Sequence, residues 1–187
     1  GDSATDSATI ALGGNIRFAD DGPSVDVVAA SDAGVFLTTQ DADTIGAAFD
    51  TAVSTAAFGG LFSIASQAHG ADGPGTAASL SYALSLVGGQ GTDSGLKSDG
   101  ASIYLHDIGG VIVGSTEQAT ANVTPGNTIF SIAVEAGTGV VTLTQYAEID
   151  HAAPGETEGP YDDQLAVLGN GLVNLTATAT VTDGDGD

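Results

Sequence analysis

The sequence predicts an all-β fold, an immunoglobulin-like or cadherin-like sandwich of about ten strands. The first ground is period-two alternation: Leu80, Tyr82, Leu84 and Leu86 share one face of a segment whose other face carries Ser79, Ser81 and Ser85. The second is punctuation, since 28 Gly and 5 Pro break the 187 residues into short runs. The third is the nature of the acids. Of 24, 19 are Asp and only 5 are Glu, and Asp favours turns and short-reach oxygen ligation over helices.

Taken in order, Thr9–Leu12, Val25–Ala29 and Val35–Thr38 are short strand candidates. Thr44–Ala57 is rich in Ala, with Ile45, Phe49 and Val53 at four-residue spacing, and reads equally as one short helix or an irregular strand. Leu61–Ala65 and Ala78–Val87 follow as strands, and Gly88–Leu96 reads as a glycine-rich loop. That loop superficially matches the nonapeptide of calcium β-rolls, but the nonapeptide holds metal only in stacked copies and here it occurs once. Ser102–His106 and Val111–Gly114 are strands, and Thr128–Gln145 is a hairpin turning at Gly137–Gly139. Val173–Val181 alternates apolar residues with Thr and Asn as the final strand.

The balance of 2 basic against 24 acidic residues, a formal charge of −22, excludes phosphate-directed nucleic-acid binding and argues against docking on anionic lipid. With 42% hydrophobic residues the chain is too apolar for a disordered acidic tail. It has no Cys, hence no disulfide and no thiolate zinc site. No apolar run approaches the roughly 18 residues that suggest membrane insertion. His69, His106 and His151 are isolated, and Asp150-His151 lacks any accompanying nucleophile motif, so the expectation is that the protein is not an enzyme.

An acidic chain without disulfides points to calcium as its staple. Asp183-Gly-Asp185-Gly-Asp187 sets carboxylates at every second residue with glycines that let a tight turn aim several oxygens at one centre. Asp20-Asp21-Gly22-Pro23 lies at a junction between β segments, and Asp41 and Asp43 repeat the alternate spacing. These seven, Asp20, Asp21, Asp41, Asp43, Asp183, Asp185 and Asp187, are the candidate Ca2+ ligands; the plain alternative for each is a solvated acidic turn. Asp162-Asp163 is weaker, in a loop rich in Pro, Gly and Glu.

The two ends share a phrase. Overlaying Gly186-Asp187 on Gly1-Asp2 continues a Thr-rich strand through an Asp-Gly turn into another, as one period of a tandem array would. Residues 1–18 then read as the last strand of a preceding repeat or the first strand of this module, and 19–187 as the sandwich itself.

Ala19-Asp-Asp-Gly-Pro-Ser-Val25, His69-Gly-Ala-Asp-Gly-Pro-Gly75, Ser81-Tyr-Ala-Leu-Ser-Leu86, Gly91-Thr-Asp-Ser-Gly-Leu96, Val141-Thr-Leu-Thr-Gln145 and Leu175–Asp187 together resemble the large tandem repeat of giant bacterial RTX adhesins exported by type I secretion. The resemblance implies a secreted, calcium-dependent β-sandwich that folds outside a Gram-negative cell. It would act as a structural extender projecting an adhesive tip, with neighbouring repeats of the same chain as partners. It supplies no ligand residues, so the metal assignments rest on Asp spacing alone. Two other readings stand beside it. One is a module that binds a glycan or a surface protein, with Tyr161 as its platform; the other is a self-assembling filament or surface-layer subunit.

Overall fold

The computed structural model describes residues 1–10, 16–17, 21–44, 52–71, 73–151, 164–184 and 186. Within them lie ten strands: β1 (Ser24–Ala29), β2 (Ala52–Ala57), β3 (Phe62–Ala68), β4 (Ser79–Leu86), β5 (Thr92–Ser98), β6 (Ala101–Ile108), β7 (Val111–Ser115), β8 (Thr128–Val134), β9 (Val140–Gln145) and β10 (Val173–Thr180). Every pairing is antiparallel. A six-stranded sheet runs in the order β2-β9-β8-β7-β6-β5, and β1-β3 and β10-β4 form two-stranded sheets. The result is an all-β sandwich. Among the described residues helical structure is confined to short 3-10 turns, and no helix is long and apolar enough to cross a membrane.

The sandwich closes because alternation gives each sheet one apolar face. Ile103 and Leu105 of β6, Ile112 of β7 and Ile129 and Phe130 of β8 bury their side chains with Leu84 of β4. Leu86, Leu96, Ile132, Leu143 and Leu175 pack around them. β4 lies across β6, β7 and β8, while β10 pairs with β4 over all eight residues and has β1 at its side. Tyr82 turns inward, its hydroxyl donating to the Gly59 carbonyl at 3.2 Å and its ring edge-on to Phe62.

The helical alternative for 44–57 does not hold over Ala52–Ala57, which is β2; residues 45–51 lie outside the described residues. The reason is tertiary: β2 pairs in unbroken register with β9, from Ala52↔Gln145 to Ala57↔Val140, and this ladder outweighs the helical preference of the segment's Ala residues, which Val and Thr already dilute. Gly88–Leu96 is a loop only in its first half, since β5 starts at Thr92. Side-chain hydrogen bonds hold that irregular edge in place of a full ladder. The buried Ser94 hydroxyl donates to the Ile103 carbonyl at 2.7 Å and accepts the Leu96 N–H, while Asp93 accepts the Gly95 N–H. Val35–Thr38 is not a strand, and neither are Thr9 and Ile10; Ala11 and Leu12 lie outside the described residues.

Candidate metal centre

Register places three loops at one pole. Ser24 pairs with Ala68, so the chain entering β1 through Asp21 meets the chain leaving β3 through His69 and Gly70. The approach is close enough that a Cβ on Gly70, whose φ is +76°, would stand 1.9 Å from the Asp21 carbonyl oxygen. Further on, Pro74 bridges to Asp183, and a Cβ on Gly75 would stand 2.0 Å from the Asp183 carbonyl oxygen and 2.6 Å from that of Thr182. His69 Nδ1 lies 3.0 Å from the Thr182 carbonyl. A carbonyl only accepts, so Nδ1 carries the hydrogen. The Thr182 hydroxyl accepts the Thr76 N–H at 3.1 Å.

Asp183 is the buried acid of this pole, 2% exposed, with one carboxylate oxygen accepting the Gly186 N–H at 3.0 Å. That bond closes the Asp-Gly turn. Burying a carboxylate in a chain with two basic residues demands compensation from oriented donors or a cation. The oxygens gathered here, carboxylate and carbonyl, are the hard donors that calcium prefers. Asp21 and Asp183 thus lie in loops that contact the same His69–Gly75 segment. Asp20, Asp185 and Asp187 lie outside the described residues, as do Asp162 and Asp163. Among the described residues no group of three acids or histidines is close enough to hold a metal.

Asp41 and Asp43 belong to a different place. Asp41 opens the 3-10 turn Asp41–Thr44, and its carbonyl accepts the Thr44 hydroxyl at 2.8 Å. One carboxylate oxygen accepts the side-chain amide of Gln145 and, at 3.1 Å, the Ile149 N–H; the other lies 3.3 Å from His151 Nδ1. Gln145 is buried and also donates to the Ala147 carbonyl. Asp41 therefore pins the segment that follows β9. Asp43 is exposed.

Spacing alone did not reveal this node, because its parts are 104 and 108 residues apart in sequence. The glycines of the pole were visible only as a phrase, His69-Gly-Ala-Asp-Gly-Pro-Gly75. The remaining histidine is structural. His106 is fully buried on the outer face of β6, its Nε2 donating to the Glu117 carbonyl at 2.8 Å and its Nδ1 2.9 Å from the Thr120 hydroxyl. His151 faces Asp41, while its neighbour Asp150 accepts the Gly100 N–H at 2.9 Å.

No curated protein and no solved structure matches the chain. Residues 24–187 match the family described as a domain of unknown function (DUF5801), and the chain belongs to that family.

Proposed function

We propose that this domain is a calcium-stabilised structural extender of a secreted bacterial surface adhesin, a spacer that carries an adhesive tip away from a Gram-negative cell. The observation that supports it most is the convergence of the Asp21, His69–Gly75 and Thr182–Gly186 segments on one pole around the buried Asp183. Asp183 and Asp21 would contribute oxygen ligands there, and Asp20, Asp185 and Asp187 are the neighbouring carboxylates in sequence. Calcium would supply positive charge that lets these acids approach one another. Without it their repulsion loosens the loops; with it the folded state is bound preferentially and the ends of the sandwich stiffen. Neighbouring repeats of the same chain would meet at such poles.

The test is thermal unfolding in millimolar calcium and again after chelation. The expected rise is more than about 10 °C, roughly 3 kcal/mol for a domain of this size. Equal unfolding temperatures in the two conditions would sink the calcium-stiffened spacer.

One observation favours binding as a second reading. On the outer face of the large sheet, Ile108, Val111, Val113, Val123, Pro125 and the half-exposed Tyr146 line a groove of about 440 Å3. Tyr82 is buried in the core, and Tyr161, the platform expected from the sequence, lies outside the described residues. Glycan-array binding lost on Tyr146→Ala would support this reading, and binding lost only on Tyr161→Ala would return the platform to the acidic loop.

A further inference from the structure

The two edges of the six-stranded sheet are built differently. β5 carries Asp93 and Lys97, its register with β6 is interrupted between them, and the Asp150 N–H donates to the Lys97 carbonyl from outside. Charge, irregularity and a covering strap are the devices that blunt an edge against pairing. β2, Ala-Val-Ser-Thr-Ala-Ala, has no charge, no Pro, no Gly and no break in register. The edge of the smaller sheet at β3 is also interrupted, since Asp26 and Val27 pair with Ser66 and Ile64 and leave Ala65 over.

The ladder shows which backbone groups β2 turns outward. Glu135 donates to the Val140 carbonyl and Tyr146 to that of Ile129, so the even-numbered residues of β9 bond to β8. Its odd-numbered residues then bond to β2, where Val141, Leu143 and Gln145 oppose Ala56, Ser54 and Ala52. The N–H and C=O groups of Val53, Thr55 and Ala57 therefore point away from the sheet. Their side chains are exposed as well, Val53 by 58%. Among the described residues no backbone hydrogen bond reaches these groups.

We propose that β2 is a homotypic docking edge: two copies of this chain pair β2 with β2 in antiparallel register about Thr55, joining their six-stranded sheets into one. The argument for a second copy is one of charge and self-complementarity. Two chains at −22 repel at most approaches, but residues 51–68 carry no charge at all, so backbones can close to about 4.8 Å without setting carboxylates opposite one another. A two-fold axis at Thr55 sets Thr55 against its own copy and Val53 against Ala57 of the second chain. The outward groups of Thr55 then form the pair that exchanges both hydrogen bonds. Six residues a side bury little area, so the contact is weak and concentration-dependent. Its strength rises with sodium chloride, which screens the repulsion elsewhere. The inference is independent of the calcium reading.

The test is light scattering and sedimentation of the 187-residue protein over increasing concentration. The expected result is a shift from the monomer mass of 18.2 kDa toward twice that value, stronger in higher salt. Thr55→Glu and Thr55→Lys each weaken association by roughly tenfold or more, because like charges then face each other. Mixing the two variants restores it as a heterodimer. Thr55 is exposed, so each variant unfolds within a few degrees of the parent, which separates lost pairing from lost folding. A monomer at every concentration, a dimer indifferent to both substitutions, or a loss that mixing does not rescue would each overturn the proposal.

Discussion

Asp41 and Asp183 are both partly or wholly sheltered acids in loops, yet their surroundings ask different things of them. Asp41 is met by three protein donors, the Gln145 amide, the Ile149 N–H and His151, so its carboxylate has a purely internal use. Asp41→Asn replaces one acceptor oxygen by an NH2 that must face a donor. The expected loss is about 1–3 kcal/mol, equal in calcium and in chelator, read by denaturant unfolding in both. Asp183 is 2% exposed within an acidic, glycine-turned loop. On the proposed function Asp183→Asn reduces the calcium-dependent rise in unfolding temperature by half or more. A rise that persists unchanged would move the ion to other residues. The two substitutions, read side by side, separate a structural carboxylate from a metal-binding one.

Gly70 and Gly75 act on the same pole through space rather than charge. Gly70→Ala meets both a left-handed φ and the Asp21 carbonyl. The first alone costs about 1–2 kcal/mol, and the second forces the Asp21 loop outward. The expected outcome is a lower unfolding temperature together with a weaker calcium response, measured by the same melts. Full calcium response at reduced stability would mean that the Asp21 loop lies outside the ion's reach.

Among the elements, the strands legible in the sequence were those whose apolar residues alternate or that a short turn joins. β8 and β9, joined by a short turn, and β10, with apolar residues at every second position, needed nothing from the rest of the fold to be recognised. β2 was legible only as one of two alternatives and β5 not at all, for opposite reasons. β2 has weak local preference and becomes a strand because β9 offers it a complete ladder. β5 has a glycine at its centre and is kept by the Ser94 and Asp93 side chains instead. Val35–Thr38 is a short, mostly apolar run that finds no ladder; its anchor is the Thr38 N–H on the Ser54 hydroxyl at 3.2 Å. The candidate site was half legible for the same reason. Spacing exposed the Asp-Gly-Asp loop, whereas the meeting of Asp21 with Gly70 depends on the register of β1 with β3.

One contact between elements is open to direct trial. Gly114 in β7 opposes Phe130 in β8, and a Cβ there would fall 2.4–2.8 Å from three atoms of the Phe130 ring. The absence of a side chain at Gly114 makes room for the Phe130 ring in the core. Gly114→Ala should destabilise by about 1–3 kcal/mol, as overpacking does, in calcium and chelator alike. A neutral result in denaturant melts would mean that Phe130 has another rotamer within reach.

At the scale of the whole molecule, the acids lie mostly in the loops. β2, β3, β4, β7, β8, β9 and β10 contain no charged residue, while among the described residues Asp21, Asp41, Asp43 and Asp183 sit outside the strands. Two effects of added cations follow, and they differ in form. Screening acts on all 24 acids, depends on ionic strength and is shared by every divalent cation. Binding at a shaped oxygen site depends on the ion: calcium accepts a flexible shell of six to eight oxygens, whereas magnesium demands a smaller octahedron and gives up its waters reluctantly. If the pole is a calcium site, stability keeps rising with the logarithm of free calcium above the dissociation constant. The slope is about 1.4 kcal/mol per decade for each site, a few degrees at this size. Magnesium at the same concentration should raise the unfolding temperature only as far as an ionic-strength-matched sodium chloride solution does. Were magnesium and calcium to give one curve, the loop acids would be acting as a diffuse charge that any counterion relieves.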